Sequence, residues 1–175
     1  MPEAGLQVHV SSLARLLPAA AALRPTHVLS LIDPELPRIA LEDPPRPEQH
    51  RTLRFRDVLR RDEPGGWSRE QMEALLAFLE EVRQAATTRP VRLLVHCHQG
   101  QSRSPAAAYL ALALHLGAGQ ERQAFRSMRK AAPHCWPNLL LVEEADALLA
   151  RQGALVAPLV AFRKRFRPPG AARFL

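Results

Sequence analysis

The sequence predicts an α/β domain, a central and mostly parallel sheet of about four to five strands flanked by helices. Three observations carry that expectation. Short β-rich runs alternate along the chain with longer helical patterns, the order expected of a parallel sheet built from βαβ units. One run, containing Val91, Leu93, Leu94 and Val95, is apolar at odd and even positions alike, as in a strand covered on both faces. After it, the eight residues from Cys97 to Ser104 hold no large apolar side chain and lead into an alanine-rich, proline-started segment. Ligands in open α/β sheets gather at such strand ends.

Each element has its own local reason. Residues 8–10 alternate apolar and polar side chains and predict a short first strand. Ser11 or Ser12 can then cap a helix to about residue 23, which Pro18 bends or splits. Residues 26–32, THVLSLI, predict a second strand that Asp33-Pro34 ends, and a Pro-rich irregular loop follows over residues 33–47. Residues 50–57, HRTLRFRD, predict a third strand with Leu53 and Phe55 inward, arginines outward and Asp57 at its end. Ser68 with Gln71 makes a capping box for a helix through about residue 84, its buried stripe being Met72, Leu75, Leu76, Leu79 and Val82. After the central strand, a helix beginning near Arg103 or Ser104 runs to Leu116, because Pro105 suits a first turn and Gly117 a stop. Two more helices are expected over residues 120–132 and 137–152, and no internal repeat is present. The expected organisation is one domain over residues 1–160 and a basic tail over residues 161–175.

Composition narrows the function classes. An apolar fraction of 47% and a charged fraction of 23% are those of a globular protein with a core of its own. The net charge of +7 is concentrated, since residues 161–175 carry five basic residues and no acidic one. A second cluster comprises Arg46, Arg51, Arg54, Arg56, Arg60 and Arg61 and would steer an acidic or phosphorylated partner. Only two of the 24 basic residues are lysine, and no known reader motif accompanies them, so nucleic-acid binding is not expected. No apolar run is long enough to span a membrane. The apolar residues between Leu13 and Leu23 are interrupted by Arg15 and Pro18 and read as mature structure. The two cysteines, Cys97 and Cys135, have no spacing suited to a disulfide framework or a zinc site. A cytoplasmic monomer without metal or cofactor is expected.

The chemistry converges on the loop. A cysteine at a strand end, facing a helix N-terminus, meets unpaired N–H groups and the positive end of the helix dipole, a setting that favours thiolate. The same N–H groups suit a bound phosphate or sulfate, and Arg103 can add a planar fork to two of its oxygens. His98, Gln99, Gly100, Gln101 and Ser102 complete that cradle, and Ser104 can hydrogen-bond the sulfur. Cys135 is a candidate resolving thiol, though a buried spectator explains it as well.

These residues resemble a known family. His96-Cys97-x5-Arg103-Ser104 is similar to the H-C-x5-R-[ST] signature of cysteine-dependent protein tyrosine phosphatases, above all the compact dual-specificity branch. The resemblance covers about residues 8–157. LRFRDV at residues 53–58 and ADALLARQG at residues 145–153 resemble a bacterial branch, and Pro137-Asn138 resembles the start of that family's last helix. It implies a phosphatase-like fold and hydrolysis of phosphomonoesters, on proteins or small molecules, through a cysteinyl-phosphate. Cys97 would be the nucleophile, Arg103 the clamp and Asp57 the general acid, with His96 and Asn138 in supporting roles. Asp57 precedes Cys97 by 40 positions, more than the common spacing, which keeps Asp62 and Asp33 as alternative acids. Two other functions stay open: a phosphate-binding module without catalysis, and an arsenate-reductase-like redox enzyme using the same loop.

Overall fold

The computed structural model describes residues 5–37, 41 and 49–166. The sheet has four strands, β1 (Gly5–Ser12), β2 (His27–Ile32), β3 (Gln49–Arg54) and β4 (Pro90–Cys97). They lie in the order β1-β4-β2-β3, and every neighbouring pair is parallel. The expected α/β architecture with a four-stranded parallel sheet is therefore present. Among the described residues six α-helices flank it: α1 (Leu16–Leu23), α2 (Arg69–Thr88), α3 (Arg103–Leu116), α4 (Glu121–Ala131), α5 (Leu139–Leu148) and α6 (Val156–Arg165).

The double apolar pattern of β4 has a direct structural cause. Val91, Leu93, Val95 and Cys97 face the main core, while Leu94 faces a smaller cluster with Val28 and with Leu16 and Ala20 of α1. Alternate side chains of one strand thus enter two different layers. The main core holds Leu75, Phe78 and Leu79 of α2, all without solvent exposure, each worth about 1.5–3 kcal/mol of burial. Helix α3 is buried along nearly its whole length because its alanines let its backbone approach the sheet. On the α1 side the cover is thinner, and there the polar side chains of Ser30 and His96 are buried and bonded to one another.

Several boundaries differ from expectation. Strand β1 is longer than the short first strand expected, because Gly5 to Ser12 pair in register with Pro90 to Cys97. The predicted first helix divides into a 3-10 turn over Leu13–Arg15 and α1; Pro18 falls in the first turn of α1, where its missing N–H costs no hydrogen bond, rather than at the break. Strand β3 ends at Arg54, so Asp57 sits in the following loop. The capping box of α2 is formed, with Ser68 Oγ accepting from Gln71 N at 3.2 Å and Gln71 Oε1 from Ser68 N at 2.9 Å. Helix α5 is shorter than expected; Asn138 is its N-cap, its side-chain oxygen accepting from Leu141 N at 2.9 Å. Most of the expected Pro-rich loop over residues 33–47 lies outside the described residues.

Helix α6 was not expected, and it carries ordered chain past the anticipated domain boundary at residue 160. Asp146 starts it, accepting from Gly153 N at 2.6 Å and Leu155 N at 2.9 Å. Leu155 and Leu159 enter the main core, and Phe162 packs on Phe125 and Trp136. Helix α6 therefore packs on the same core as α3 and α4 despite its terminal charge.

Candidate active site

The loop between β4 and α3 is fixed from three sides. His98 O accepts from Leu13 N at 3.0 Å, Gln101 O from Trp136 N at 2.7 Å, and Ser102 O from Asn138 N at 3.1 Å. Gly100 has φ +71°, and a Cβ there would lie 2.9 Å from the carbonyl carbon and oxygen of Ser11. Glycine is thus required twice at this point, by the left-handed backbone and by the close approach of β1.

Cys97 ends β4 almost fully buried, its Sγ 3.1 Å from Ser104 Oγ and 3.2 Å from Gly100 N, which donates to it. Helix α3 begins six residues later, and its first-turn N–H groups have no acceptor within the helix. These dipoles favour negative charge beside the sulfur and on a bound anion.

Arg103 is 97% removed from solvent, being 3% exposed, an unusual placement for a guanidinium. Its Nη1 donates to Asp33 Oδ1 at 2.7 Å and to the Phe55 carbonyl. Its Nε is buried without a hydrogen-bond partner. With Nη1 committed to the protein, the Nε–Nη2 edge is the one left to match two oxygens of a tetrahedral oxyanion.

Asp57 reaches the same place from the loop after β3. Its Oδ1 accepts from Ser102 Oγ and from Asn138 Nδ2, both at 2.8 Å, and Asn138 Nδ2 also donates to Val58 O at 2.8 Å. One asparagine therefore caps α5 and ties the Asp57 loop to the Cys97 loop. Cys97, Arg103 and Asp57 line a single cleft of about 510 Å³, with His98, Gln99, Gln101 and Ser102 around it.

The alternative acids have different surroundings. Asp33 lines the cleft but is engaged by Arg103. Asp62 is exposed, pairs with Arg60 at 3.2 Å and does not line the cleft. Cys135 lines a neighbouring cavity rather than the cleft, its Sγ 3.5 Å from Met128 Sδ, and burial pushes its thiol pKa up. Among the described residues no cluster of three or more His, Cys, Asp and Glu side chains could hold a metal ion, and no helix is long and apolar enough to cross a membrane.

Behind β4 lies a chain of hydrogen bonds that the sequence did not reveal. His96 Nε2 is 2.6 Å from Ser30 Oγ, which is 2.7 Å from His50 Nε2. Burial pushes the His96 pKa down to about 4, so its ring is neutral at physiological pH. Pairing of Ser30 with His96 across β2 and β4 creates this contact, and only strand register could have predicted it. Trp136, Leu59 and Arg56 were likewise missed as wall residues of the cleft. For Trp136 a signal existed, its position immediately before Pro137-Asn138.

No family model and no curated protein matches the chain. Solved structures do resemble it. Human DUSP28 superposes with a TM-score of 0.56 at 22% identity, over 82% of this chain and 94% of that one. DUSP15 gives a TM-score of 0.57 at 18% identity, over 91% of this chain and 92% of that one. The human tyrosine phosphatase-like serine/threonine/tyrosine-interacting protein gives 0.58 at 16% identity, over 83% and 92%. Through a parallel sheet with a cysteine-ended central strand, the chain has the fold of the dual-specificity phosphatases.

Proposed function

We propose that the chain is a metal-independent, cysteine-dependent phosphomonoester hydrolase of the dual-specificity type. The observation that carries this reading is the single cleft shared by Cys97 Sγ, the open edge of Arg103 and the Asp57 carboxyl. In the first step Cys97 thiolate attacks phosphorus in line, forming the S–P bond as the P–O bond to the leaving group breaks. Asp57, through Oδ2, protonates the departing oxygen. Arg103 and the N–H groups of the loop hold the three non-bridging oxygens as their charge shifts. In the second step water attacks phosphorus, Asp57 takes its proton, and the sulfur leaves as thiolate. Ser104 Oγ at 3.1 Å donates to that sulfur and improves it as a leaving group. His96 and Asn138 act through position, the first beneath the nucleophile and the second between the two loops.

The substrates are phosphorylated proteins or small phosphorylated molecules, the enzyme acts as a monomer, and its thiolate chemistry fits the reducing cytoplasm. The LRFRDV and ADALLARQG segments support a bacterial branch of the family. The test is turnover of p-nitrophenyl phosphate in EDTA by the wild type and by Cys97→Ser. Activity in the first and none in the second is expected; activity surviving Cys97→Ser overturns the reading. Saturable phosphate binding without turnover by the wild type would make the chain a phosphate-binding module instead.

A further inference from the structure

Three polar side chains, His50, Ser30 and His96, form a line across the sheet on the face that Val28 and Leu94 share with α1. Ser30 and His96 are neighbours across β2 and β4, and neither has any solvent exposure. His50 on β3 pairs with Val28, two positions before Ser30, and reaches the Ser30 hydroxyl diagonally. Apolar side chains would fill the same space without losing hydration, so the polar line calls for a reason beyond packing.

Counting protons leaves this line two arrangements. The Ser30 hydroxyl has one proton and lies between two ring nitrogens, 2.7 Å from His50 Nε2 and 2.6 Å from His96 Nε2, so it donates to one ring and accepts from the other. His96 holds a single ring proton, because burial above all, and then the positive charges of His50 and Arg103, oppose a second. In the first arrangement His50 donates to Ser30 and Ser30 to His96 Nε2, which leaves the His96 proton on Nδ1. In the second His96 donates from Nε2 and its Nδ1 is bare. Nδ1 is buried and makes no hydrogen bond of ordinary geometry, while the Cys97 backbone is the group that favours a proton on this ring. With Nε2 engaged by Ser30, only the first arrangement presents an N–H to that backbone. His50 can donate from Nε2 with its ring neutral or charged, so the arrangement needs no particular charge on His50.

We infer that Ser30 and His50 are positioning residues for the reaction: together they hold the His96 proton on Nδ1, toward the Cys97 backbone, and so favour negative charge on Cys97 Sγ. Each donor in the line then points its positive end the same way, from β3 through β2 to the end of β4, and successive hydrogen bonds strengthen one another. The last of these positive ends lies beside Cys97, where it stabilises the sulfur as nucleophile and as leaving group. The inference rests on the hydrolase reading for its consequence in turnover, whereas the reactivity of the Cys97 sulfur is measurable without it.

Alkylation of the full chain by iodoacetamide is followed as a function of pH, with the label mapped to the Cys97 peptide so that Cys135 does not contribute. The acid limb of kcat/KM for p-nitrophenyl phosphate is read in parallel, and nitrogen NMR of the imidazole locates the His96 proton. Ser30→Ala and His50→Leu break the line, whereas His50→Gln keeps an N–H donor in reach of Ser30. His50 is only partly buried, so its two variants carry the test even if Ser30→Ala does not fold. Ser30→Ala and His50→Leu should move the alkylation midpoint and the acid limb upward by about one pH unit, the worth of about one hydrogen bond. His50→Gln should restore most of that shift, and the wild-type His96 proton should reside on Nδ1. Midpoints unmoved in the folded variants, an equal shift in His50→Leu and His50→Gln, or a wild-type His96 proton on Nε2 overturns the inference. If p-nitrophenyl phosphate is not hydrolysed but alkylation follows the expected pattern, the hydrolase reading fails and the action of Ser30 and His50 on Cys97 stands.

Discussion

Lowering the pH should destabilise the domain through His96, and the size of the effect follows from its burial. The ring is fully buried, and its pKa falls from 6.5 in the unfolded chain to about 4 in the fold. Between those values the unfolded chain binds a proton that the folded chain does not, so stability rises with pH across the window. His96 therefore contributes its full stabilisation above pH 6.5 and loses it progressively as the pH falls toward 4. A shift of this size corresponds to roughly 3 kcal/mol, a large part of the stability of an ordinary domain. Carboxylates also titrate at the lower end of the range, so the effect is isolated by comparison with His96→Gln, which keeps a polar group near Ser30 but cannot titrate. Urea unfolding of both proteins at pH 7, 6, 5 and 4 reads the difference. The variant should be less stable at pH 7, and the gap should close by roughly 3 kcal/mol by pH 4. A gap independent of pH would refute the reasoning, because it would mean that His96 titrates alike in both states.

Three substitutions test the site residue by residue. Asp57→Asn should slow the first step, read as the burst of released alcohol, most for poor leaving groups and little for p-nitrophenol; a loss of the burst independent of leaving group would remove Asp57 from the acid role. Asp33→Ala should raise KM about tenfold by releasing Arg103 Nη1 from one of its two acceptors, with no leaving-group dependence; a dependence would make Asp33 the acid. Gly100→Ala should cost on the order of 1–3 kcal/mol in chemical unfolding and most of the activity, because the added Cβ meets the Ser11 carbonyl at 2.9 Å on a left-handed backbone; a fully stable, active variant would contradict the tight fit drawn here.

What the sequence made legible was whatever depends on local spacing. The doubly apolar β4, the helix start near Arg103 and the capping box of Ser68 and Gln71 all depend on residues a few positions apart, and each appears in the structure as expected. Contacts fixed by strand order were not legible. Nothing in the chain brings Ser30 between His50 and His96 until β2 is known to lie between β3 and β4. Asp33 was legible as a candidate acid, but its engagement with Arg103 depends on two loops separated by 70 residues. Helix α6 was hidden by composition: the Arg163, Lys164, Arg165 run read as a tail, and Pro158 falls in the first turn, where proline is tolerated. Phe162 and the Arg163 contact to Pro137 O at 2.8 Å then hold the helix against the segment that carries Trp136 and Asn138.

The central claim is that Cys97 carries the phosphoryl group between the two steps, and rapid-quench mass spectrometry of the enzyme during turnover tests it directly. Mixing the protein with a good aryl phosphate substrate and quenching in acid should trap a phosphate that maps to the peptide containing Cys97. Asp57→Asn should accumulate more of it, because the variant keeps the first step with a good leaving group but lacks the base for the second. Turnover with no covalent phosphate in either protein, or a phosphate mapping to another residue, would contradict the mechanism.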